Sequence, residues 1–540
     1  MKRQSDAPCG QAVMGLEWGE DPMGDNNGLV RRHDQYQFEV KLGYDLRRHL
    51  AREGYRVDTF FFIPENLDIS EATYSKDQFY RDMLLYIRFR TPDFTLSTLT
   101  DAGSDRSPLT GIAKRLASAK LAPTKENLQA LDYEMRLLGC VFKNSLRRQS
   151  REIESLLADS IGRPILKDHV QTEALLSEFQ VQVKRVSSRF RSLQAEFQDP
   201  RLTSGVAATF AFTDEYISLL IEERSHEILQ LIQDRSEEFL KRSATALVGL
   251  ILDEIAYRRE GKYPSLVDEG HENETLVFRL SVLKKFMGSV LHMTVRKREE
   301  DRGLEQIFLA MGAGFAMLFA TAVAFYYQKV YGTLSFGFFI ILILSYMLKD
   351  RMKALSQARL QNWLSKNVYD QSTSIFDPLT GEKMGVCREA VGFIPEKRVD
   401  PVALHLRNRD HITEIENTWR AEKVIHYTKD ITLFPHRFLK FHKRKTGITD
   451  IVRFSLRNFL HKMDEPVKSL YTLKKGRSEK IPGSRVYHVN VILRFTSKRE
   501  TRYERIRLVL NQNGIKRLES LGAESAPGKS SYYPSPLRPA

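Results

Sequence analysis

Two long apolar stretches near the middle of the chain interrupt an otherwise mixed pattern of polar and apolar residues. Residues 304–327 contain one charged residue, Glu305, and residues 330–348 contain none. At about 1.5 Å per helical residue, each stretch is long enough to cross a hydrocarbon layer of about 30 Å. The pattern predicts an integral membrane protein with a hairpin of two transmembrane helices within residues 303–348.

Basic residues flank this predicted hairpin, whereas its connecting loop offers only Lys329. Those before and after it are Arg296, Lys297, Arg298, Arg302, Lys349, Arg351 and Lys353. The positive-inside rule then places both flanks and both termini in the cytoplasm. The polar N-terminal sequence does not predict a secretory signal peptide. Because the sequence also lacks low-complexity tracts and sorting signals, we expect a bacterial inner (plasma) membrane protein.

Small residues recur every four positions on the first predicted transmembrane helix, at Gly312, Ala316, Ala320 and Ala324. Such a ridge allows close approach of another helix. The partner is either the second helix of the hairpin or another copy of the chain, which would make a homo-oligomer. Neither helix has an ionisable residue at mid-bilayer depth, which disfavours a transporter or channel.

The N-terminal flank divides into two patterns after a polar stretch at residues 1–29, which we expect to be disordered. Residues 30–120 predict a small α/β domain, because residues 36–42 and 55–63 read as strands. A capping box at Ser75 and Gln78 predicts a helix carrying Phe79, Met83 and Ile87.

Residues 121–302 show apolar residues at helical spacing and predict a helical bundle leading to the membrane. Breaks at Gly162, Pro164 and Pro200 favour an antiparallel bundle over one continuous coiled coil. A last stripe that includes Leu276 and Leu280 predicts a helix running toward the membrane. These stripes indicate core packing; signalling through the last helix is the alternative.

Residues 349–522 predict an α+β cytoplasmic domain with an antiparallel sheet. Residues 452–463 carry a helical stripe, whereas residues 487–495 alternate as a strand and residues 511–514 form a turn between two further strands. Residues 523–540 read as a disordered tail. The predicted fold class is thus a transmembrane hairpin between a mainly helical and α+β N-terminal region and this C-terminal domain.

Charge separates the two flanks. The whole chain carries a net charge of +15, but residues 349–540 contain 38 Lys and Arg against 20 Asp and Glu, a net charge of +18. Candidate residues for an anionic surface are Arg437, Lys440, Lys443, Arg444, Lys445, Arg494, Lys498 and Arg499. Anionic lipid head groups, nucleic acid and plain solvation of a basic face remain open. Lipid is preferred over nucleic acid because a membrane tether would hold this domain near a bilayer.

No short catalytic signature is present in the sequence. The Gly-x4-Gly-Lys-Ser/Thr, His-Glu-x-x-His, Gly-x-Ser-x-Gly and Cys-x-x-Cys motifs are all missing. We therefore predict no catalytic, cofactor or metal site. The preferred hypothesis is a membrane-anchored cytoplasmic scaffold or sensor that binds a protein partner and anionic lipid. A membrane-tethered enzyme without a linear motif is the alternative, and a membrane-tethered nucleic-acid-binding protein is the second alternative.

Overall fold

The computed structural model describes most of the chain. The described residues are 30–47, 50–101, 107–159, 166–233, 237–299, 301–332, 335–367, 369–408, 422–441, 447–497 and 501–526.

Strands form two large antiparallel sheets and one two-stranded ribbon. In chain order the strands are β1 Val30–Arg32, β2 Gln37–Asp45, β3 Glu53–Pro64, β4 Met83–Phe89, β5 Thr294–Glu299, β6 Gln371–Phe376, β7 Lys383–Ile394, β8 Glu422–Leu433, β9 Gly447–Ser455, β10 Val467–Lys474, β11 Arg477–Ser484, β12 Tyr487–Ser497, β13 Thr501–Asn511 and β14 Gly514–Ala526. The small sheet has the order β1-β2-β9-β4, and the large sheet has the order β14-β13-β12-β3-β8-β7-β6-β5. Within the described residues, strands β10 and β11 pair only with each other.

Helices fill the long interval between β4 and β5, two further long helices lie between β5 and β6, and short helices occur elsewhere. They are α1 Lys76–Asp82, α2 Leu96–Thr100, α3 Pro108–Leu121, α4 Lys125–Asp159, α5 Leu166–Arg191, α6 Ser204–Ile232, α7 Glu238–Glu260, α8 Glu274–Gly288, α9 Asp301–Tyr331, α10 Phe336–Asn367, α11 Pro401–Asn408, α12 Pro435–Phe441 and α13 Arg457–Leu460. Short 3-10 turns occupy Glu65–Leu67, Gln194–Gln198, Ser289–Leu291 and Glu396–Arg398. Helices α4 to α7 pack on one another, and α8 crosses α4 and α6.

The two ends of the chain build the same sheets, so the predicted fold class, with separate N-terminal and C-terminal regions, is wrong. Strand β3 lies between β8 and β12, and strand β9 lies between β2 and β4. Each of these pairings joins residues more than 350 positions apart in the chain. A single α+β core therefore incorporates both flanks. The alternation of apolar residues shows that a segment is a strand but does not specify which strand pairs with it.

The predicted hairpin of two transmembrane helices is also wrong. Among the described residues, one helical stretch, Ala310–Val330 in α9, is apolar and long enough to cross a membrane. The second predicted span counted residues 330–335 as helix, but α9 ends at Tyr331 and α10 begins at Phe336. Only residues 336–348 of α10 precede the charged Lys349. This apolar part is about 20 Å long at 1.5 Å per residue, shorter than the hydrocarbon layer.

The two sheets pack face to face around an aromatic core. Phe61 of the large sheet lies 5.2 Å from Phe454 of the small sheet, measured between ring centroids, and Phe79 of α1 contacts both rings. The main core continues from there into the helical region. On the opposite face of the large sheet, α11 covers a second cluster that includes Phe60 and Ile492. The main core thus joins both sheets and the helical region.

Several local predictions are confirmed. The alternating segments form β2, β3 and β12 to β14, and the capping box at Ser75 and Gln78 begins α1. Two predicted helical stripes are confirmed only in part. Helix α1 ends at Asp82 before β4, and of residues 452–463 the first four belong to β9 whereas Arg457–Leu460 form α13. Phe79, Met83 and Ile87 are four residues apart, a spacing that suits one face of a helix and also one face of a strand. Pairing with β9 makes Met83–Phe89 a strand.

Candidate functional site

A cavity of about 230 Å³ lies between α4, α6, α8 and the segment that joins α7 to α8. Its apolar wall consists of Tyr216, Leu219, Leu220, Val267, Leu276 and Leu280. Its polar lining consists of Lys143, Glu222, Glu223, His226, Ser265 and Lys284. The exposed residues His226 and Val267 mark the opening of this cavity to solvent.

Helical periodicity explains why these side chains converge. On α6, Leu219, Glu223 and His226 follow one another at spacings of four and three residues, which places them along one helix face. On α8, Leu276, Leu280 and Lys284 are each four residues apart. A lysine therefore ends the apolar face of α8 instead of lying on its solvent side.

Two lysines from different helices, Lys143 and Lys284, line the cavity together with Glu223. Burial lowers the pKa of Lys284 to about 8, and the like charge of Lys143 adds to this shift while Glu223 opposes it. Burial also lowers the pKa of Lys143, again against the effect of Glu223. Both ammonium groups are therefore less stable here than in water. A bound anion would stabilise their charged forms.

The positive charge continues from this cavity toward the small sheet. Arg31 on β1 and Lys41 on β2 both lower the pKa of Lys284. These cations share one carboxylate, because Glu39 lies 2.7 Å from Arg31, 3.3 Å from Lys41 and 2.6 Å from Arg453. Burial lowers the pKa of Lys41 to about 8 even with Glu39 beside it. Cations thus outnumber carboxylates where the sheet meets the cavity.

Two further acidic residues near the cavity, Glu222 and Glu227, have cationic partners. Glu222 forms an ion pair with the buried Arg258, which also donates to Ser218 Oγ at 2.7 Å. Glu227 forms an ion pair with Arg224. Beside these pairs, Lys143, Lys284 and Glu223 line the cavity. The arrangement suits a molecule with an apolar body and a single anionic group.

A second polar cluster on the large sheet surrounds one carboxylate. The carboxylate of Asp58 is fully buried and lies 2.8 Å from Arg494, 2.9 Å from Thr428, 3.0 Å from His426 and 3.1 Å from Arg56. Burial alone would raise the pKa of Asp58, but the hydrogen bond from His426 and the charges of Arg494 and Arg56 hold it well below its usual range. All four neighbours direct donors at one carboxylate, so this cluster joins β3, β8 and β12.

A buried ion pair links the two sheets. Lys429 Nζ of β8 lies 2.6 Å and 2.7 Å from the two carboxylate oxygens of Asp450 on β9. Both side chains have at most 1% exposure. Burial would lower the pKa of Lys429, but Asp450 raises it. Both charges are therefore matched inside the protein.

The residues predicted to form an anionic surface do not gather into one site in the described part of the chain. Arg437 donates to the carbonyl oxygen of Lys383 at 2.8 Å and lies over the ring of Phe434. Arg494 is held by Asp58 and Asp400. Lys440 lies on α12, but its side chain falls outside the description. Five other candidates lie outside the described residues, namely Lys443, Arg444, Lys445, Lys498 and Arg499.

The small-residue ridge of α9 faces α10. Gly312 and Ala316 are buried, and an added methyl group at Gly312 would lie 3.0 Å from Ser356 Oγ. Ser345 Oγ donates to the carbonyl oxygen of Ala320 at 3.3 Å. Ala324 is half-buried on the same helix. Within this chain the ridge therefore packs against its neighbouring helix.

Sequence reasoning missed the cavity because its residues lie on segments up to 141 positions apart, from Lys143 to Lys284. The available signal was a lysine at the end of an apolar stripe on α8. No group of three or more potential metal ligands occurs among the described residues. No family model, curated protein or solved structure matches the chain significantly.

Proposed function

We propose that this protein is a membrane-associated sensor that binds, in the cavity between α4, α6 and α8, a small apolar molecule carrying a carboxylate group. The observation that carries the proposal is the pair Lys143 and Lys284, two lysines from different helices that line one largely apolar cavity. A carboxylate between these ammonium groups would form charge-assisted hydrogen bonds with both.

The size of the cavity supports a ligand larger than a single aromatic ring. An apolar protein cavity of roughly 150 Å³ is enough to bind benzene. The present cavity, at about 230 Å³, has room for a medium-length alkyl chain or a substituted ring. Its leucine side chains supply the apolar contacts, and the lysines orient the acidic end.

The chain path supports a sensing role. Helix α8 carries Leu276, Leu280 and Lys284 of the cavity and ends at Gly288. A short turn and strand β5 then lead directly into α9. Cys140 Sγ of α4 donates to the carbonyl oxygen of Met287 at 3.2 Å, so the end of α8 is fixed on the helical region. A ligand that moved α8 would therefore act on the segment that leads into α9.

Binding of decanoate to the full-length protein tests this proposal, with decanol as the uncharged control. We expect decanoate to bind more tightly than decanol in calorimetry and to raise the unfolding temperature. Lys284→Met should weaken decanoate binding by about 10- to 100-fold, because it removes a charge-assisted contact. Lys285→Met is the matched control, since Lys285 is the exposed neighbour on the same helix.

Equal affinities for decanoate and decanol would contradict the proposed carboxylate site. So would a loss of decanoate binding that is the same in the Lys284→Met and Lys285→Met proteins. Lys143→Met provides a second variant from a different helix and should behave as Lys284→Met does.

We further propose that α9 embeds its apolar surface in a lipid bilayer. The support is the stretch Ala310–Val330, whose mean hydropathy is 1.5 and of which only 11% is buried. Large side chains such as Phe315 and Leu318 are exposed there. A continuous exposed apolar surface of this kind is typical of a membrane or protein contact.

Fractionation of cells expressing the full-length chain tests the role of α9. The native protein should stay with membranes after washing in high salt. Phe315→Asp/Leu318→Asp should shift it to the soluble fraction, because charged side chains are costly in hydrocarbon. Leu121→Asp/Val170→Asp, two exposed positions elsewhere, is the control and should leave the distribution unchanged. Identical distributions for both double variants would contradict the proposal.

A further inference from the structure

The ribbon formed by β10 and β11 projects away from the rest of the described structure. Every residue of β10 is exposed, and in β11 only Gly483 is partly covered. The strands pair from Val467 opposite Ser484 to Lys474 opposite Arg477. Lys475 and Gly476 close the turn with positive φ angles of 50° and 76°. These angles fit the tight turn that a two-residue hairpin loop requires.

Apolar side chains occupy this exposed ribbon. Tyr471 and Leu473 are 75% and 78% exposed near its tip, and Leu470 and Ile481, which oppose each other, are 52% and 43% exposed. An isolated two-stranded hairpin is at best marginally stable in water. Its two edges have no further strand within the described structure. These features indicate that a lipid surface or another molecule covers the ribbon.

The charges of the ribbon identify the covering chemistry. Residues 467–484 contain five basic residues and one acidic residue, Glu479, a net charge of +4. The basic residues are Lys468, Lys474, Lys475, Arg477 and Lys480. Three of them surround the turn, beside Leu473. The ribbon thus presents cations and large apolar side chains together at its tip.

This combination favours an anionic lipid surface over nucleic acid. Nucleic-acid bases stack on aromatic side chains, and Tyr471 is the single aromatic residue of the ribbon. Transfer from water into hydrocarbon is favourable for aliphatic side chains such as Leu470, Leu473 and Ile481. Lysine and arginine side chains near the polar layer of a membrane interact with acidic head groups.

We propose that the β10–β11 ribbon docks on an anionic lipid surface. Leu473 and Tyr471 enter the boundary between head groups and acyl chains, and Lys475 and Arg477 contact the lipid phosphates and carboxylates. The proposal is independent of the cavity and of α9, because it concerns a different, basic surface.

Partitioning of the full-length protein between buffer and vesicles tests the proposal. The measured quantity is the ratio of binding to vesicles with 30% phosphatidylserine in phosphatidylcholine over binding to phosphatidylcholine alone. Any charge-independent contribution of α9 cancels in this ratio. Lys475→Gln/Arg477→Gln should lower the ratio by about 30-fold, since each basic residue near such a surface contributes about fivefold.

Lys397→Gln/Arg398→Gln is the matched control, because both residues are exposed on another segment. It should leave the ratio nearly unchanged. Tyr471→Ser/Leu473→Ser should weaken binding to both vesicle types by removing the inserted side chains. Circular dichroism of each variant should match that of the native chain.

Three results would overturn the proposal. The first is an equal effect of the ribbon and control variants on the ratio. The second is loss of binding to a single-stranded uridine 20-mer in Lys475→Gln/Arg477→Gln with the lipid ratio intact, which would assign the ribbon to nucleic acid. The third is loss of self-association in Tyr471→Ser/Leu473→Ser with vesicle binding intact, which would assign it to a second copy of the chain.

Discussion

The contact between the two sheets and the cationic end of the cavity both place lysines inside the protein, but they balance the charge differently. Lys429 contacts both carboxylate oxygens of Asp450 within 2.7 Å. Lys143 and Lys284 line one cavity together, and both have lowered pKa values. Removing one member of a buried ion pair is costly, because the other charge stays buried without a partner. A surplus of like charge in a cavity is a cost to the fold that a ligand can remove.

The largest expected effect comes from breaking the matched pair. Lys429→Met should lower the free energy of unfolding by about 3–5 kcal/mol, because Asp450 would remain buried without its countercharge. Chemical denaturation of the full-length protein measures this change. Lys429→Met/Asp450→Leu should recover part of the loss, since no isolated charge then remains. If the double variant were less stable than the single one, the two residues would not act as a matched pair.

A smaller, pH-dependent effect is expected at Glu39, which three cations share. Burial alone would raise the pKa of Glu39, but the hydrogen bond from Arg453 and the charges of Lys41 and Arg31 lower it to about 2. A carboxylate with a lowered folded-state pKa stabilises the protein above its unfolded pKa of about 4.5. Glu39→Gln should therefore cost about 2–3 kcal/mol at pH 7.

That cost should shrink as the pH falls from about 5 toward 2, because the native protein loses the same charge by protonation. Urea denaturation at a series of pH values measures the difference between the native and Glu39→Gln proteins. A difference that stays constant across this range would show that Glu39 acts through packing and not through charge.

The smallest expected effect has the opposite sign and concerns Lys284. Its pKa is lowered to about 8 in the folded protein, so its charged form opposes folding below that pH. Lys284→Met should stabilise the ligand-free protein by about 1 kcal/mol at pH 7, after allowance for partial exposure. The gain should decline as the pH rises from 8 toward 10.5, the ordinary pKa of lysine, because the native lysine becomes neutral in the folded state first.

Thermal unfolding of Lys284→Met beside Lys285→Met measures this effect. If Lys284→Met is more stable than the native protein and binds decanoate less tightly, Lys284 belongs to a ligand site and not to a structural ion pair. If Lys284→Met were instead less stable than the native protein, the charge of Lys284 would stabilise the fold, as that of Lys429 does.

The confirmed sequence predictions concern residues that are close together in the chain. Alternating residues along β12 and the Ser75 capping box concern neighbours in the chain, and the structure confirms both. The prediction of helix over Met83–Phe89 is wrong, because the apolar spacing of this segment fits the period of a strand as well as that of a helix. The contacts that decide between them come from β9, more than 350 residues away.

The length of the second apolar stretch shows the same limit. Composition made residues 330–348 a candidate span, but the end of α9 and the start of α10 divide that stretch. Helix ends depend on caps and packing as well as on hydrophobicity. The domain boundaries and the proposed partners stay predictions.

By itself, the sequence determined which residues form the helical stripes, which segments alternate as strands, and that the C-terminal half is basic. These properties depend on residues within a few positions of one another. Only the tertiary structure decided that β3 lies between strands of the C-terminal half and that Lys143 and Lys284 share a cavity. Strand partners and cavity walls are selected by burial and charge pairing between distant segments, which no local pattern records.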